Sequence, residues 1–283
     1  MTVSRREFLI SASLPVVALA LFGCSAQDTA ATSASDAESA KSNPSLLLVE
    51  KDVLVGQEPT EKVAGQSIWA MHETATSRSS LVRIDSATTK SVHAATRMHV
   101  VLEGAVEVTL ADGSSTIGHG GFIQIPTGIE YSLAPIGVDA PILVGFEVPR
   151  IDFSAAPSMG RDGADSSPRV RALADIVFDV PGWDDPSDRG WTLAKSDELR
   201  VNLVEMRSEL RSHLHPDADH SLVLLSGKAR VVTPNEERTL SVGSYVSIPA
   251  GLAHKYFVDG SEPAMFVSFD APAYDSSKTV YLD

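Results

Sequence analysis

The sequence contains little cysteine and few basic residues, and both shortages limit what the protein can be. Among 283 residues there is one cysteine, Cys24, which excludes an intrachain disulfide and a metal site built on paired cysteines. Any metal must therefore be held by His, Asp or Glu. Lys and Arg number 23 against 37 Asp and Glu, for a net charge of −14. An acidic surface of this kind repels phosphate backbones, so we expect no nucleic-acid partner.

The apolar run near the N-terminus is too short to cross a membrane. Residues 8–22 fall below the ~20 apolar residues that a spanning helix needs, and Pro15 interrupts them. Arg5 and Arg6 precede this run, an arrangement typical of an export signal. Residues 4–9 (SRREFL) resemble the twin-arginine export signal.

The last four residues of this leader, 21–24 (LFGC), resemble the lipobox of bacterial lipoproteins. The two resemblances imply export by the twin-arginine machinery, removal of residues 1–23 and lipidation of Cys24. Acyl chains on Cys24 would anchor the protein to the cell membrane, facing outside the cytoplasm. Residues 24–45 are small and polar, and we expect them to form a disordered tether.

Long segments with a helical period are absent from the rest of the chain. From Leu46 onward, short apolar and β-branched runs alternate with Gly, Pro, Asp and Ser. Runs of this length with turn residues between them predict an all-β sandwich or barrel.

This region contains an internal repeat, in which residue n resembles residue n+123 without a gap. The matched turn residues and aromatics are Gly104 with Gly227, Gly120 with Gly243, Pro126 with Pro249, Gly128 with Gly251, and Phe146 with Phe269. The repeat predicts two copies of one β module. We place the first copy at residues 46–150, a connector at 151–188 and the second copy at 189–283.

Histidines recur at fixed spacings in the second copy. His213 and His215 are followed by four residues, His220, six residues and Gly227. Further on come Gly243, five residues, the tripeptide 249–251 (PAG), two residues and His254. Both patterns resemble the two cupin motifs, with His in place of the usual Glu at position 220. The resemblance implies a bicupin of two tandem jelly-roll barrels in which these four histidines bind a metal.

The spacing of these histidines also has a direct physical explanation. Residues i and i+2 of a strand share a face, so His213 and His215 point the same way. Neutral imidazole suits Fe, Mn, Ni, Cu, Co and Zn. We favour Fe or Mn, because a chain exported in the folded state could acquire its ion in the cytoplasm. Four ligands on a six-coordinate ion leave two positions open, as catalysis requires.

The first copy has lost the ligand pattern. Its aligned positions hold Lys90, Val92, Arg97 and Tyr131, although a one-residue gap would bring His93 onto the second position. We expect no metal there. Arg97, His99 and Tyr131 could line a small anion pocket, but we favour a filled barrel that supports the contact between the copies.

Two functional interpretations follow from these patterns. The first is a metal-dependent enzyme, either a dioxygenase-type oxidoreductase or an isomerase or lyase, acting on a small anionic or chelating substrate. The second is a non-catalytic lipoprotein that binds or senses a small ligand and contains a structural metal. The fold cannot decide between them. The sequence assigns no catalytic residue and leaves the oligomeric state open, a homo-oligomer included.

Overall fold

The computed structural model describes residues 44–149, 167–273 and 275–282. Short strands dominate it, as the alternation of apolar runs and turn residues predicts. The first part of the chain forms β1 (Leu47–Val49), α1 (Lys51–Val55), β2 (Glu61–Val63), β3 (Gln66–Glu73), β4 (Arg78–Ile84), β5 (Thr96–Glu103), β6 (Ala105–Leu110), β7 (Gly113–Gly118), β8 (Phe122–Ile125), β9 (Ser132–Ile136) and β10 (Ile142–Val148).

The second part repeats this arrangement after a short strand and a helix. Its elements are β11 (Arg169–Arg171), α2 (Leu173–Phe178), β12 (Trp183–Asp184), β13 (Asp188–Lys195), β14 (Arg200–Met206), β15 (Leu210–Leu214), β16 (Asp219–Ser226), β17 (Ala229–Val232), β18 (Glu237–Leu240), β19 (Tyr245–Ile248), β20 (His254–Val258), β21 (Ala264–Ala271), the 3₁₀ turn η1 (Ser276–Lys278) and β22 (Val280–Tyr281).

Each copy folds as two antiparallel sheets. The first copy has a seven-stranded sheet, ordered β11-β8-β5-β10-β4-β3-β2, and a three-stranded sheet, β7-β6-β9. The second copy has a seven-stranded sheet, β1-β19-β16-β21-β14-β13-β12, and a five-stranded sheet, β18-β17-β20-β15-β22. The fold class is therefore the predicted one: all-β, with two tandem jelly-roll barrels.

Successive residues of a central strand are buried in two different cores, which explains why these strands are continuous apolar runs in the sequence. On β16, Leu222 and Leu224 belong to a core inside the second barrel. The intervening Val223 and Leu225 belong to a different core, which also contains residues of both large sheets such as Trp69 and Trp191. A strand buried on both faces has no polar side to expose. The large sheets thus bury one face in their own barrel and the other in the core that the copies share.

The repeat extends to backbone conformation. Gly104 and Gly227 have φ of 71° and 80°, and Gly128 and Gly251 have φ of 81° and 78°. These angles lie in the left-handed region, which glycine adopts without strain. The matched glycines of the sequence are therefore matched turns of the structure.

The two copies exchange short strands, so their sheets do not follow the limits predicted from the sequence. β1, placed in the first copy, pairs with β19 of the second, with Leu47 opposite Ser247. β11, placed in the connector, pairs with β8 of the first copy, with Val170 opposite Ile123. β1 is an apolar triplet (LLV), and β11 has one apolar residue between two arginines (RVR). Segments this short carry no pattern that determines their partner. α2 follows β11 and buries Ile176.

Within the residues described, no helix is long and apolar enough to cross a membrane. The predicted leader, Cys24 and the first residues of the tether lie outside the described part of the chain.

Candidate metal centre

Three strands bring the predicted ligands to one end of the second barrel. His213 lies near the end of β15, and His215 follows that strand directly. His254 begins β20 and is the ladder partner of His213. His220 is the second residue of β16. The turn at Gly251 is tied to the same place, because its backbone N–H donates to the carbonyl of His215 at 2.8 Å.

The side chains of three predicted ligands converge. One nitrogen from each of His213, His215 and His254 lies within 4.8 Å of the others. Donors bound to one ion at about 2.1 Å lie at most about 4.2 Å apart, so this spacing is close to that of a coordinated ion. The ring of His220 packs against the same group, with its centroid 4.9 Å from His215 and 5.5 Å from His254.

Three of these imidazoles are held by a hydrogen bond through the same ring nitrogen, Nδ1. Nδ1 of His213 donates to the carbonyl of Arg211 at 2.7 Å, and Nδ1 of His254 donates to the carbonyl of Leu252 at 2.9 Å. Nδ1 of His220 lies 2.5 Å from Oδ1 of Asp270. A neutral ring that donates through Nδ1 keeps its lone pair on Nε2. Nε2 of His254 is buried without a hydrogen-bond partner, as a nitrogen reserved for a metal would be.

Burial favours the neutral form of two of these histidines, His215 and His254. Desolvation, with smaller contributions from His220, His213 and Arg200, lowers the pKa of His215 to about 2. Burial also lowers the pKa of His254 well below its ordinary value, followed by repulsion from His220 and His213. Imidazole must be neutral to bind a metal. The donor set therefore fits a divalent transition ion.

Three of the four histidines, His213, His215 and His220, line a cavity of about 680 Å³. This volume is in the usual range for small-molecule sites. Two basic residues, Arg200 and Arg211, and two acidic residues, Asp185 and Asp188, line it, together with aromatic, apolar and polar side chains. The other lining residues include Trp183, Asn202, Val204, Met206, Leu222, Phe266, Ser268 and Tyr281.

Other polar residues that lie close to the predicted ligands in the sequence have structural contacts. Asp217 accepts a hydrogen bond from Lys278 at 3.0 Å, and Asp219 accepts one from the backbone N–H of Ala250 at 3.0 Å. Tyr245 lies among the residues of the shared core, where it bonds Ser79 of the first copy at 2.9 Å.

The equivalent place in the first barrel contains an internal cation. Ser91 is the bridge partner of Tyr131, as His213 is of His254. Gly128 donates to the carbonyl of His93 at 3.0 Å, as Gly251 does to that of His215. The structure therefore requires the one-residue gap and aligns His93 with His215.

Arg97 occupies the centre of this first-barrel cluster. Its guanidinium lies 3.0 Å from Nε2 of His93 and 2.5 Å from Glu147. Because this carboxylate already balances the charge of Arg97, the ion pair favours the expected filled barrel over an anion pocket. His99 is also buried, and neither of its ring nitrogens has a hydrogen-bond partner.

One acidic residue of the site was not identified from the sequence. Asp270, which contacts His220, lies outside both motifs, and its carboxylate is fully buried. A signal for it exists in the repeat, because an offset of 123 places Asp270 on Glu147 and His220 on Arg97. Neither acid could be recognised as a partner before the strands were placed side by side.

Comparison with known proteins agrees with this fold. Residues 202–270 match the family model described as a cupin domain. An uncharacterised protein of Aquifex aeolicus (strain VF5) is 26% identical over 81 residues, or 29% of this chain. The match covers 66% of that relative, which is just under two thirds of its length.

Solved structures resemble nearly the whole described region. The oxalate decarboxylase of Lactobacillus farciminis, in a formate complex, has a TM-score of 0.59 at 15% identity, covering 83% of this chain and 88% of that one. A cupin 2 conserved barrel domain protein from Leptotrichia buccalis has a TM-score of 0.58 at 17% identity, with coverage of 79% and 95%.

A third similar structure is a Bacillus subtilis oxalate decarboxylase studied for its Mn(II) centres. It has a TM-score of 0.57 at 14% identity, with coverage of 83% and 79%. At such identities the likeness concerns the fold. Part of the second barrel thus matches the cupin model, both barrels share the fold of these structures, and the histidine cluster of the second barrel could hold a metal.

Proposed function

We propose that this protein is a metal-dependent cupin enzyme whose second barrel holds one divalent transition ion. The convergence of three histidine nitrogens within 4.8 Å, two of them from residues that line a cavity of about 680 Å³, carries this proposal. His213, His215 and His254 would bind the ion, with His220 as the fourth ligand. Mn or Fe is favoured, and the Mn(II) centres of the similar Bacillus subtilis decarboxylase support Mn.

The proposed reaction is of the dioxygenase type, or an isomerisation or lyase reaction. When bound, the ion would supply Lewis acidity and open coordination positions. The chain would supply orientation: Arg200 and Arg211 line the cavity, where a guanidinium can bind a carboxylate or an enolate oxygen. Leu222 and Phe266 line it as well and exclude water from an apolar part of the substrate.

The substrate we propose is larger than oxalate. The cavity has room for much more than a two-carbon acid, and its lining includes apolar side chains such as Leu222 and Phe266 that such an acid would not use. In addition, the four-histidine set has no acidic ligand. A chelating anion with an apolar body, such as a β-diketone, a catechol or a flavonol, fits this wall better.

Metal analysis and oxygen uptake test the proposal together. Protein purified without chelator should contain about one first-row ion per chain, and His220→Ala should abolish oxygen consumption or substrate conversion in a panel of diketones, catechols, flavonols and small carboxylates. Conversion without oxygen uptake would assign isomerase or lyase chemistry. A closed, tetrahedral ion that no substrate reaches would instead support a binding or sensing protein with a structural metal.

We also propose that the protein is exported and anchored by lipid at Cys24. The motifs at residues 4–9 and 21–24 support this location. Its partners would then be the twin-arginine export machinery, the membrane and a small molecule.

A further inference from the structure

The replacement of the usual cupin glutamate by His220 raises a question of charge. Four neutral imidazoles around a divalent ion provide no anionic ligand. Asp270 of β21 lies behind this group: its side chain is fully buried, and its Oδ1 is 2.5 Å from Nδ1 of His220. The carboxylate is therefore one side chain further from the centre than the usual glutamate would be.

We infer that Asp270 is a positioning residue that orients His220 as the fourth metal ligand and returns a negative charge to the site. This inference rests on the metal proposed above. A carboxylate behind a ligating imidazole fixes its tautomer and makes it a stronger donor. His213 and His254 use backbone carbonyls for the same bond, so His220 is distinguished by a charged partner.

The state of the second carboxylate oxygen supports this role. Oδ2 of Asp270 is buried without a hydrogen-bond partner. A charge buried in this way is unfavourable unless a cation compensates for it. Arg200 is the ladder partner of Asp270, and its Nε donates to Oδ1 of Asn202 at 3.3 Å. An ion held by His220 would bring positive charge to the Asp270 side of the cluster.

The first barrel provides an independent observation. At the positions equivalent to His220 and Asp270 it contains Arg97 and Glu147, 2.5 Å apart. Arg97 reaches the centre of that cluster and bonds His93. Both barrels thus place an acid behind the group that approaches the centre. In the first barrel that acid balances a guanidinium, and in the second we assign it to a metal ion.

Asp270→Asn tests the assignment, because it removes the charge and keeps the shape. We expect Co²⁺ affinity, measured in the full chain by competition with a chromophoric chelator, to fall about 10- to 100-fold. The visible absorption of bound Co²⁺ should also change, since the field of one ligand changes. The matched control is Glu147→Gln, which removes the charge of the equivalent acid of the first barrel and should leave both readouts unchanged.

A double-mutant cycle provides a second readout if Asp270→Asn alone folds poorly. His220→Glu would place a carboxylate against Asp270, so we expect it to weaken Co²⁺ binding. Adding Asp270→Asn should then restore binding rather than weaken it further. Equal affinity and spectra for wild type and Asp270→Asn, or additive losses in the cycle, would overturn the role of Asp270 alone. Absence of Co²⁺ binding by the wild type would overturn this role and the proposed function together.

Discussion

Phe146 and Phe269 occupy equivalent positions in the two copies and stack on each other, with ring centroids 3.3 Å apart and planes inclined by 18°. Both are buried in the core shared by the large sheets. A residue of one barrel therefore packs against the equivalent residue of the other barrel.

This stack predicts a large contribution to stability. Phe269→Ala should lower the free energy of unfolding by about 3–5 kcal/mol, because it removes a buried ring and leaves a cavity. Urea unfolding measures the loss. Phe178→Ala is the matched control, since that ring is 90% exposed, and its effect should stay within about 0.5 kcal/mol. Equal effects of the two changes would show that the shared core does not hold the barrels together.

His99 predicts a dependence of stability on pH. Burial, followed by repulsion from Arg97 and His93, lowers its pKa to about 3. In the unfolded chain the pKa of this histidine is ~6.5. At pH values between the two pKa values, the unfolded chain therefore binds more protons than the folded chain. The free energy of unfolding should therefore fall as the pH drops from about 6.5 toward about 3.

His99→Leu should reduce this loss and stabilise the protein at neutral pH by about 1–3 kcal/mol, because it removes two buried nitrogens that lack partners. The second copy already has Leu222 at this position. Urea unfolding at pH 5 and pH 7.5 measures both effects. Part of the pH dependence should persist through His93, whose pKa burial lowers to about 4. A variant less stable than the wild type at both pH values would contradict the prediction.

The alignment of Ser91, His93, Arg97 and Tyr131 with the four ligands predicts that a second metal site can be installed. In the triple variant Ser91→His, Arg97→His, Tyr131→His, the existing His93 would complete the set and Glu147 would stand where Asp270 does. Elemental analysis should show the metal content rise from about one to about two ions per chain. The variant Arg97→His alone serves as the control and should stay at one. A stoichiometry unchanged in the triple variant would count against the equivalence of the two barrel ends.

The lipid anchor predicts a change of location. Cys24→Ser removes the thiol that a lipobox would modify, so the variant should move from the membrane to the soluble fraction of cells. Fractionation followed by immunoblotting measures this. Ser25→Ala, which changes the next residue and leaves the thiol, is the control. Retention of Cys24→Ser in the membrane would show that the anchor lies elsewhere.

The sequence was most informative where backbone geometry restricts residue type. Gly128 and Gly251 occupy turns with left-handed backbone, so their spacing predicts the repeat. Histidines two apart on a strand share a face, so His213 and His215 were predicted to converge, and the structure brings them together with His254.

Less information was available where a contact depends on which strands become neighbours. Asp270 meets His220 because β16 pairs with β21, and no local pattern marks an acid in an apolar strand as the partner of a distant histidine. β1 has the same difficulty. Its sequence (LLV) suits any apolar edge, and its partner is decided by the packing of the whole domain.

The exchange of β1 and β11 has a consequence for any attempt to divide the chain. β1 covers the edge of β19, and β11 covers the edge of β8. A single cut between the copies would leave the half that bears the histidine cluster without its outer strand, and an uncovered edge invites aggregation. The two halves must therefore be expressed as one chain if both sheet edges are to stay covered.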